Sequence, residues 1–152
     1  MPQTKIQGYV FSVLMAIAMV YGMELYNQVL MAGALTNDLF LAPFPEMPGL
    51  VLAVLVLEHF LGGPFAQYFT FRSLDAGATP QLVIIVVRAA FTCMAMCPLM
   101  SMVATLAFKQ PALVDLAATW MQTVAMNFPM ALLWQLFVAG PAVRFVVKRL
   151  PW

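Results

Sequence analysis

The sequence predicts an all-α membrane protein with four transmembrane helices, arranged as two tandem two-helix repeats with parallel pseudo-twofold symmetry. Three observations support this prediction. Apolar residues make up 64% of the chain and charged residues only 9%, whereas a soluble domain has about a quarter charged residues. The apolar residues fall into four runs, each as long as the roughly 20 residues that cross a bilayer. The third observation is an internal match between the two halves of the chain.

The four predicted spans cover approximately residues 9–30, 49–71, 82–108 and 116–147. The first connection contains Pro43, Pro45 and Pro48, which a helix interior does not tolerate. The second connection covers residues 73–80, and the third is the tight turn around Pro111; both have the residue types of loops. The first apolar run exceeds the roughly 7–15 residues of a signal-peptide core, so we predict that it is a retained helix.

The net charge and the absence of several sequence motifs exclude several classes of protein. The net charge is +1, which provides no basic surface for nucleic acid. The sequence contains no zinc-type Cys/His spacing, no glycine-rich phosphate loop and no convincing nucleophile–base pair. We therefore predict a protein that is not an enzyme and that binds no cofactor and no nucleic acid. The lipid bilayer is its main predicted partner, and a homodimer or another membrane protein is a further one.

The distribution of basic residues predicts the orientation in the membrane. Cytoplasmic loops carry an excess of Lys and Arg. One predicted side holds the two termini and the second loop, and the other side holds only Lys109. The first side carries six basic residues: Lys5, Arg72, Arg88, Arg144, Lys148 and Arg149. We predict a multi-pass protein of the inner (plasma) membrane with both termini in the cytoplasm.

A shift of 77 positions aligns the two halves of the sequence. Phe60–Pro64 then lies over Phe137–Pro141, and Arg72 lies over Arg149. Each repeat contains two helices, so both repeats enter the membrane from the same side and are related by an axis along the membrane normal. The predicted repeats are residues 1–76 and 77–152, which together form one compact membrane domain.

Several segments of the second half resemble a known family. These segments are Cys97–Ser101, Trp120, Asn127–Ala131 and Ala139–Arg144. They look like the bacterial domain-of-unknown-function family 2798, a short two-helix membrane unit, and the first half looks like a more divergent copy. The resemblance implies a small prokaryotic inner-membrane protein and implies no activity.

The main candidate for function is Glu58, because an ionisable group inside a span is a functional candidate by default. It lies close to the middle of the second predicted span, which crosses a hydrocarbon core roughly 30 Å thick. Its counterpart in the second repeat is Gln135, and a small residue follows each of them one turn later. The functional interpretation is a proton-coupling or substrate-binding carboxyl. The alternative is a neutral Glu58 that only packs against Gln135. His59 is either a partner of Glu58 or a polar residue between helices.

Two further charged residues lie within the spans. Glu24 lies in the outer part of the first span, where it is either functional or an interfacial carboxylate in contact with water. Arg88 lies about two turns inside the third span, so its long side chain reaches the cytoplasmic interface. It is therefore a binding candidate or a topological anchor.

A cysteine and methionine motif in the third span allows a weak metal prediction. Cys93, Cys97 and Met100 share one helical face, and their sulfur atoms would suit monovalent copper. The alternative is apolar packing, since Cys and Met both fill helix interfaces. We predict no metal site and keep these residues as the alternative.

Two function classes follow from these candidates. The first is a small proton-coupled transporter or exporter with Glu58 at its centre. The second is a non-catalytic membrane scaffold or regulatory subunit.

Overall fold

The computed structural model describes residues 4–151, apart from the side chain of Phe108, and every regular element in this part of the chain is helical. Four helices are long and apolar enough to cross a membrane. The predicted fold class is therefore confirmed. The helices are α1 (Lys5–Ala32), α2 (Met47–Ser73), α3 (Gln81–Ala107) and α4 (Leu116–Arg149).

The ends of α1 show why these residues begin and stop a helix. The Thr4 Oγ1 accepts a hydrogen bond of 3.2 Å from the Gln7 N–H, which satisfies one of the free donors of the first turn. Gly33 ends the helix with φ of +76°, a left-handed conformation that glycine adopts without a steric penalty. The first connection contains the three prolines and a short 3-10 helix, Asn37–Phe40.

The described residues group into two compact units. The first unit contains Met1–Leu55 and Trp134–Trp152, and the second contains Val56–Leu133. In the first unit, α1 packs against the C-terminal part of α4. In the second unit, the C-terminal part of α2 packs against α3. The predicted repeats, 1–76 and 77–152, stay a prediction, and their outer limits lie outside the described residues.

Each unit is held together by a buried stripe with a spacing of four residues. Small residues in such a stripe allow two helix backbones to approach closely. Every position in one stripe lies 77 residues from a position in the other. The first unit buries Ala16, Val20, Glu24, Ala139, Val143 and Val147, and the second buries Cys93, Cys97, Ser101, Gly62, Ala66 and Thr70.

The same offset relates two arginine–aromatic pairs at the helix ends. Arg72 donates a 2.7 Å hydrogen bond to the Tyr68 hydroxyl and lies over the Tyr68 ring. Arg149 lies 4.6 Å from the centre of the Phe145 ring. Both arginines therefore stack on an aromatic residue one turn earlier in the chain, as a duplicated unit would. The symmetric arrangement of the two halves itself stays a prediction.

Candidate functional site

Glu58 begins a π-helical turn in the middle of α2. This turn covers Glu58–Gly62, and the Gly63 N–H donates to the Glu58 carbonyl instead of the carbonyl four residues back. Pro64 follows. A proline has no N–H and its ring displaces the carbonyl four residues earlier, so the extra residue of the π turn accommodates it. Such turns within α-helices are frequent at functional sites.

A matching turn occurs in α4. It covers Gln135–Ala139, is closed by the Gly140 N–H on the Gln135 carbonyl, and precedes Pro141. Glu58 and Gln135 therefore occupy the same position of equivalent turns, 77 residues apart. A third turn, Thr105–Lys109, is closed by the Gln110 N–H directly before Pro111. In all three turns, the donor of the closing hydrogen bond is the residue before a proline.

The surroundings of Glu58 contain a positive charge and a close helix contact. Glu58 is half-buried, and the Arg88 guanidinium on α3 attracts its carboxylate electrostatically. One turn after Glu58, a Cβ added to Gly62 would lie 2.6 Å from the Met96 Sδ. Gly62 therefore permits α2 and α3 to approach closely beside Glu58. Of the sequence-predicted site residues, Glu58 and Arg88 thus lie within electrostatic range of each other in the second unit.

His59 follows Glu58 but lies on the exposed side of the helix. Its ring meets Phe60 edge-on, with 5.2 Å between the ring centres. Phe60 is itself largely exposed. The sequence allowed His59 to be either a partner of Glu58 or a polar residue between helices. The contact described here is with Phe60, on the exposed surface of α2, and both interpretations stay predictions.

Gln135 is buried in the first unit, next to an indole that sequence reasoning missed. The Trp134 Nε1–H donates a 3.0 Å hydrogen bond to the Ala18 carbonyl of α1. The Trp134 ring occupies the space beside Gly22, where a Cβ would collide with it. Gly22 therefore leaves room for the ring. The sequence signal for this contact was a glycine in one predicted span and a tryptophan in another. The predicted pairing of Gln135 with Glu58 stays a prediction.

Glu24 lies beside two other polar side chains near the C-terminal end of α1. Only 8% of Glu24 is exposed, and its carboxyl lies close to the polar side chains of Gln28 and Glu46. Glu46 lies in the first connection, directly before α2. Sequence reasoning named Glu24 and its neighbour Gln28 but did not connect them with Glu46.

The equivalent region of the second unit has a different chemistry. Positions 24, 28 and 46 correspond to Ser101, Thr105 and Thr123, all of which are buried hydroxyl residues. The Lys109 Nζ donates a 2.8 Å hydrogen bond to the Thr123 Oγ1. One turn further along α4 lies Asn127, which is also buried. We name these five residues the hydroxyl–lysine cluster; the sequence analysis missed it because no charge marks its buried members.

Cys93 and Cys97 lie in the buried stripe of the second unit, as thiols that are not joined in a disulfide. The equivalent positions in the first unit are Ala16 and Val20, so apolar residues serve the same packing role there. Within the described residues, no three His, Cys, Asp and Glu side chains lie close enough to hold a metal ion. The weak copper alternative, which adds Met100, stays an untested prediction.

Four helices of this length and composition are consistent with a multi-pass membrane protein. The family described as "Domain of unknown function (DUF2798)" matches residues 83–150. The uncharacterized protein YybC of Bacillus subtilis (strain 168) is 30% identical over 154 residues, which cover 98% of this chain and 94% of YybC. The chain belongs to the DUF2798 family, as the sequence resemblance indicated. No solved structure matches it significantly.

The family match covers the second predicted repeat and not the first. The description of the first half as a divergent copy therefore stays a prediction. The family and its relative carry no assigned activity, so any function must be argued from the residues of this chain.

Proposed function

We propose that this protein is a small proton-coupled transporter or exporter of the inner membrane, and that the Glu58 carboxyl carries the proton. The position of this carboxyl is the observation that carries the proposal. Glu58 is the twelfth residue of α2 (Met47–Ser73), about 17 Å from the helix start at 1.5 Å per residue. A carboxyl group at the middle of an apolar span is energetically costly to remove from water, and ionisable residues at such positions usually have a function.

Two local features support proton transfer at this position. The Glu58 carboxyl lies within electrostatic range of the Arg88 guanidinium on α3, a positive charge that would interact with its ionised form. The π turn gives α2 a local break in its regular hydrogen bonding, where a small conformational change would be coupled to protonation.

We propose that the protein is not an enzyme, that both termini lie in the cytoplasm, and that transport requires a homodimer. The orientation follows from the basic residues near the termini and the second loop. The dimer follows from volume, because four helices enclose little space for a substrate. The test of orientation is cysteine labelling in a variant without Cys93 and Cys97. A cysteine at Ala76 should be protected from an impermeant reagent in intact cells, and one at Asn37 should react; the opposite pattern contradicts the orientation.

The close helix packing favours a second candidate, a membrane scaffold or regulatory subunit. In the existing side-chain arrangement, a Cβ added at Gly22 would collide with the Trp134 ring, and one added at Gly62 would collide with the Met96 side chain. Helices packed in this way are suited to a static role. In that case Glu58 would serve only as a hydrogen-bonding group between helices.

The two candidates are separated by Glu58→Gln, which keeps the shape and hydrogen-bonding capacity but cannot carry a proton. A deletion strain is first screened for a growth defect across a panel of toxic compounds and pH values. The wild-type gene should restore growth and Glu58→Gln should not, although both proteins reach the membrane equally. Asp75→Asn, in the exposed second loop, is the matched control and should restore growth. Full rescue by Glu58→Gln at every pH would support the scaffold instead.

A further inference from the structure

His59 is a polar residue of α2 that the proposed role of Glu58 does not use. It is the thirteenth of the 27 residues of α2 (Met47–Ser73). About 18 Å of helix precede it and about 21 Å follow it, at 1.5 Å per residue. The hydrocarbon core of a bilayer is about 30 Å thick. His59 therefore lies close to the middle of the membrane.

The His59 side chain is exposed on the surface of α2. Val56 and Phe60 are exposed on the same stretch of helix, by 47% and 70%, and the His59 ring meets the Phe60 ring edge-on. Ionisable residues within a membrane span almost always face a protein interior or a water-filled cavity. Facing lipid, the imidazole would give up its hydrogen bonds to water and gain none in exchange. The surface around His59 is therefore better suited to a polar protein partner than to lipid.

The equivalent surface of α4 lacks the imidazole. A shift of 77 positions places Leu136 over His59 and Phe137 over Phe60. Phe137 is 73% exposed, nearly the same as Phe60, and its leucine neighbour is compatible with lipid. Helix packing alone thus does not require a polar residue at this position, and the imidazole distinguishes the surface of α2 from that of α4.

We propose that the surface formed by Val56, His59 and Phe60 is the contact with a second copy of this chain. A twofold contact uses the same residues on both sides, so it must be self-complementary. An imidazole ring meets this requirement, because it has one donor and one acceptor nitrogen. His59 of one copy can therefore donate a hydrogen bond to His59 of the other, while the exposed Val56 and Phe60 side chains pack around that bond and keep lipid away from it.

This inference rests on the homodimer of the proposed function and names the interface of that dimer. Since His59 directly follows Glu58 in α2, the contact lies beside the proposed proton site. The second copy thus adds its own α2 next to the carboxyl, where four helices alone enclose little space.

Cysteine crosslinking in native membranes tests which surface forms the contact. The background variant carries Cys93→Ala and Cys97→Val, the residues found at the equivalent positions of the first unit. In this background, Phe60→Cys should form a disulfide-linked dimer under a mild oxidant. Phe137→Cys should not, and it is the matched control because the two positions are equally exposed.

Dilution of the fluorescently labelled protein in lipid vesicles measures the strength of the contact. Single-molecule photobleaching gives the dimer fraction at each protein-to-lipid ratio. His59→Leu, which introduces the residue type of position 136, should weaken dimerisation by roughly 3- to 20-fold, the equivalent of one hydrogen bond between membrane helices. His59→Asn retains a donor and an acceptor and should dimerise nearly as well as the wild type.

The outcomes separate the interface from the rest of the proposed function. If Phe60→Cys does not reach the membrane, Val56→Cys replaces it, with Leu133→Cys as its control. Crosslinking at Phe137 alone, or equally at both positions, would overturn the interface and leave the homodimer in place. A protein that stays monomeric at every dilution would overturn both. Unchanged dimerisation of His59→Leu would overturn the role of the imidazole, and none of these results depends on the growth assay of Glu58→Gln.

Discussion

The two compact units share their packing positions and differ in their polar chemistry. Both have a buried stripe at the same offset, a π turn before a Gly-Pro pair, and an arginine stacked on an aromatic ring. The polar positions have diverged: Glu58 against Gln135, and an acidic cluster in the first unit against the hydroxyl–lysine cluster in the second. Packing between the helices thus needs only small residues at fixed spacing. The residues that differ between the units are therefore the candidates for function.

The largest expected effect concerns Gly22, whose equivalent 77 positions later is Leu99. In Gly22→Ala the new Cβ would collide with the Trp134 ring, and a tryptophan ring held by a hydrogen bond cannot move aside easily. Overpacking of this kind costs about 1–3 kcal/mol. The unfolding midpoint in detergent should fall accordingly.

Gly8→Ala is the matched control on the same helix. A Cβ at Gly8 meets no atom within 4 Å, and alanine favours a helix interior by about 0.5–1 kcal/mol over glycine. Its midpoint should be equal to or above that of the wild type. Equal stability of Gly22→Ala and Gly8→Ala would show that Trp134 does not pack as described.

An intermediate effect is expected for the two indole hydrogen bonds, one in each unit. Trp134 donates to the Ala18 carbonyl at 3.0 Å, and Trp120 donates to the Pro98 carbonyl at 2.9 Å. Replacing either by Phe removes the donor and retains most of the ring. Each change should lower the free energy of unfolding by about 0.6–1.7 kcal/mol. Chemical denaturation of both variants checks whether the two units depend equally on such bonds.

The smallest effect on stability is expected for Gly62→Ala. The atom that the new Cβ would meet belongs to Met96, whose flexible side chain can move. The equivalent position of the other unit already carries Ala139. The loss should be below about 1 kcal/mol, and clearly smaller than that of Gly22→Ala. A larger loss at Gly62 would contradict the equivalence of the two positions.

The sequence was sufficient to predict the four helices, because length and apolar composition determine which segments can cross a bilayer. The Gly-Pro match between the halves also predicted where the two units would be most alike. The π turns were not predicted, since a proline after a helical run is compatible with a kink as well. The contact of Glu24 with Glu46 was missed because Glu46 was assigned to a connection. Lys109 was treated only as a topological charge, and its hydrogen bond to Thr123 depends on side-chain packing that the sequence pattern does not contain.

The central claim is that the Glu58 carboxyl carries a proton during function, and transport in reconstituted vesicles tests it most directly. Once the growth screen has identified a substrate, its uptake is measured under an imposed pH gradient for the wild type, Glu58→Gln and Asp75→Asn. Wild type and Asp75→Asn should accumulate substrate in response to the gradient. Glu58→Gln should fold normally and show no gradient-driven accumulation. Accumulation by Glu58→Gln at the wild-type rate and with the wild-type dependence on the gradient would contradict the claim.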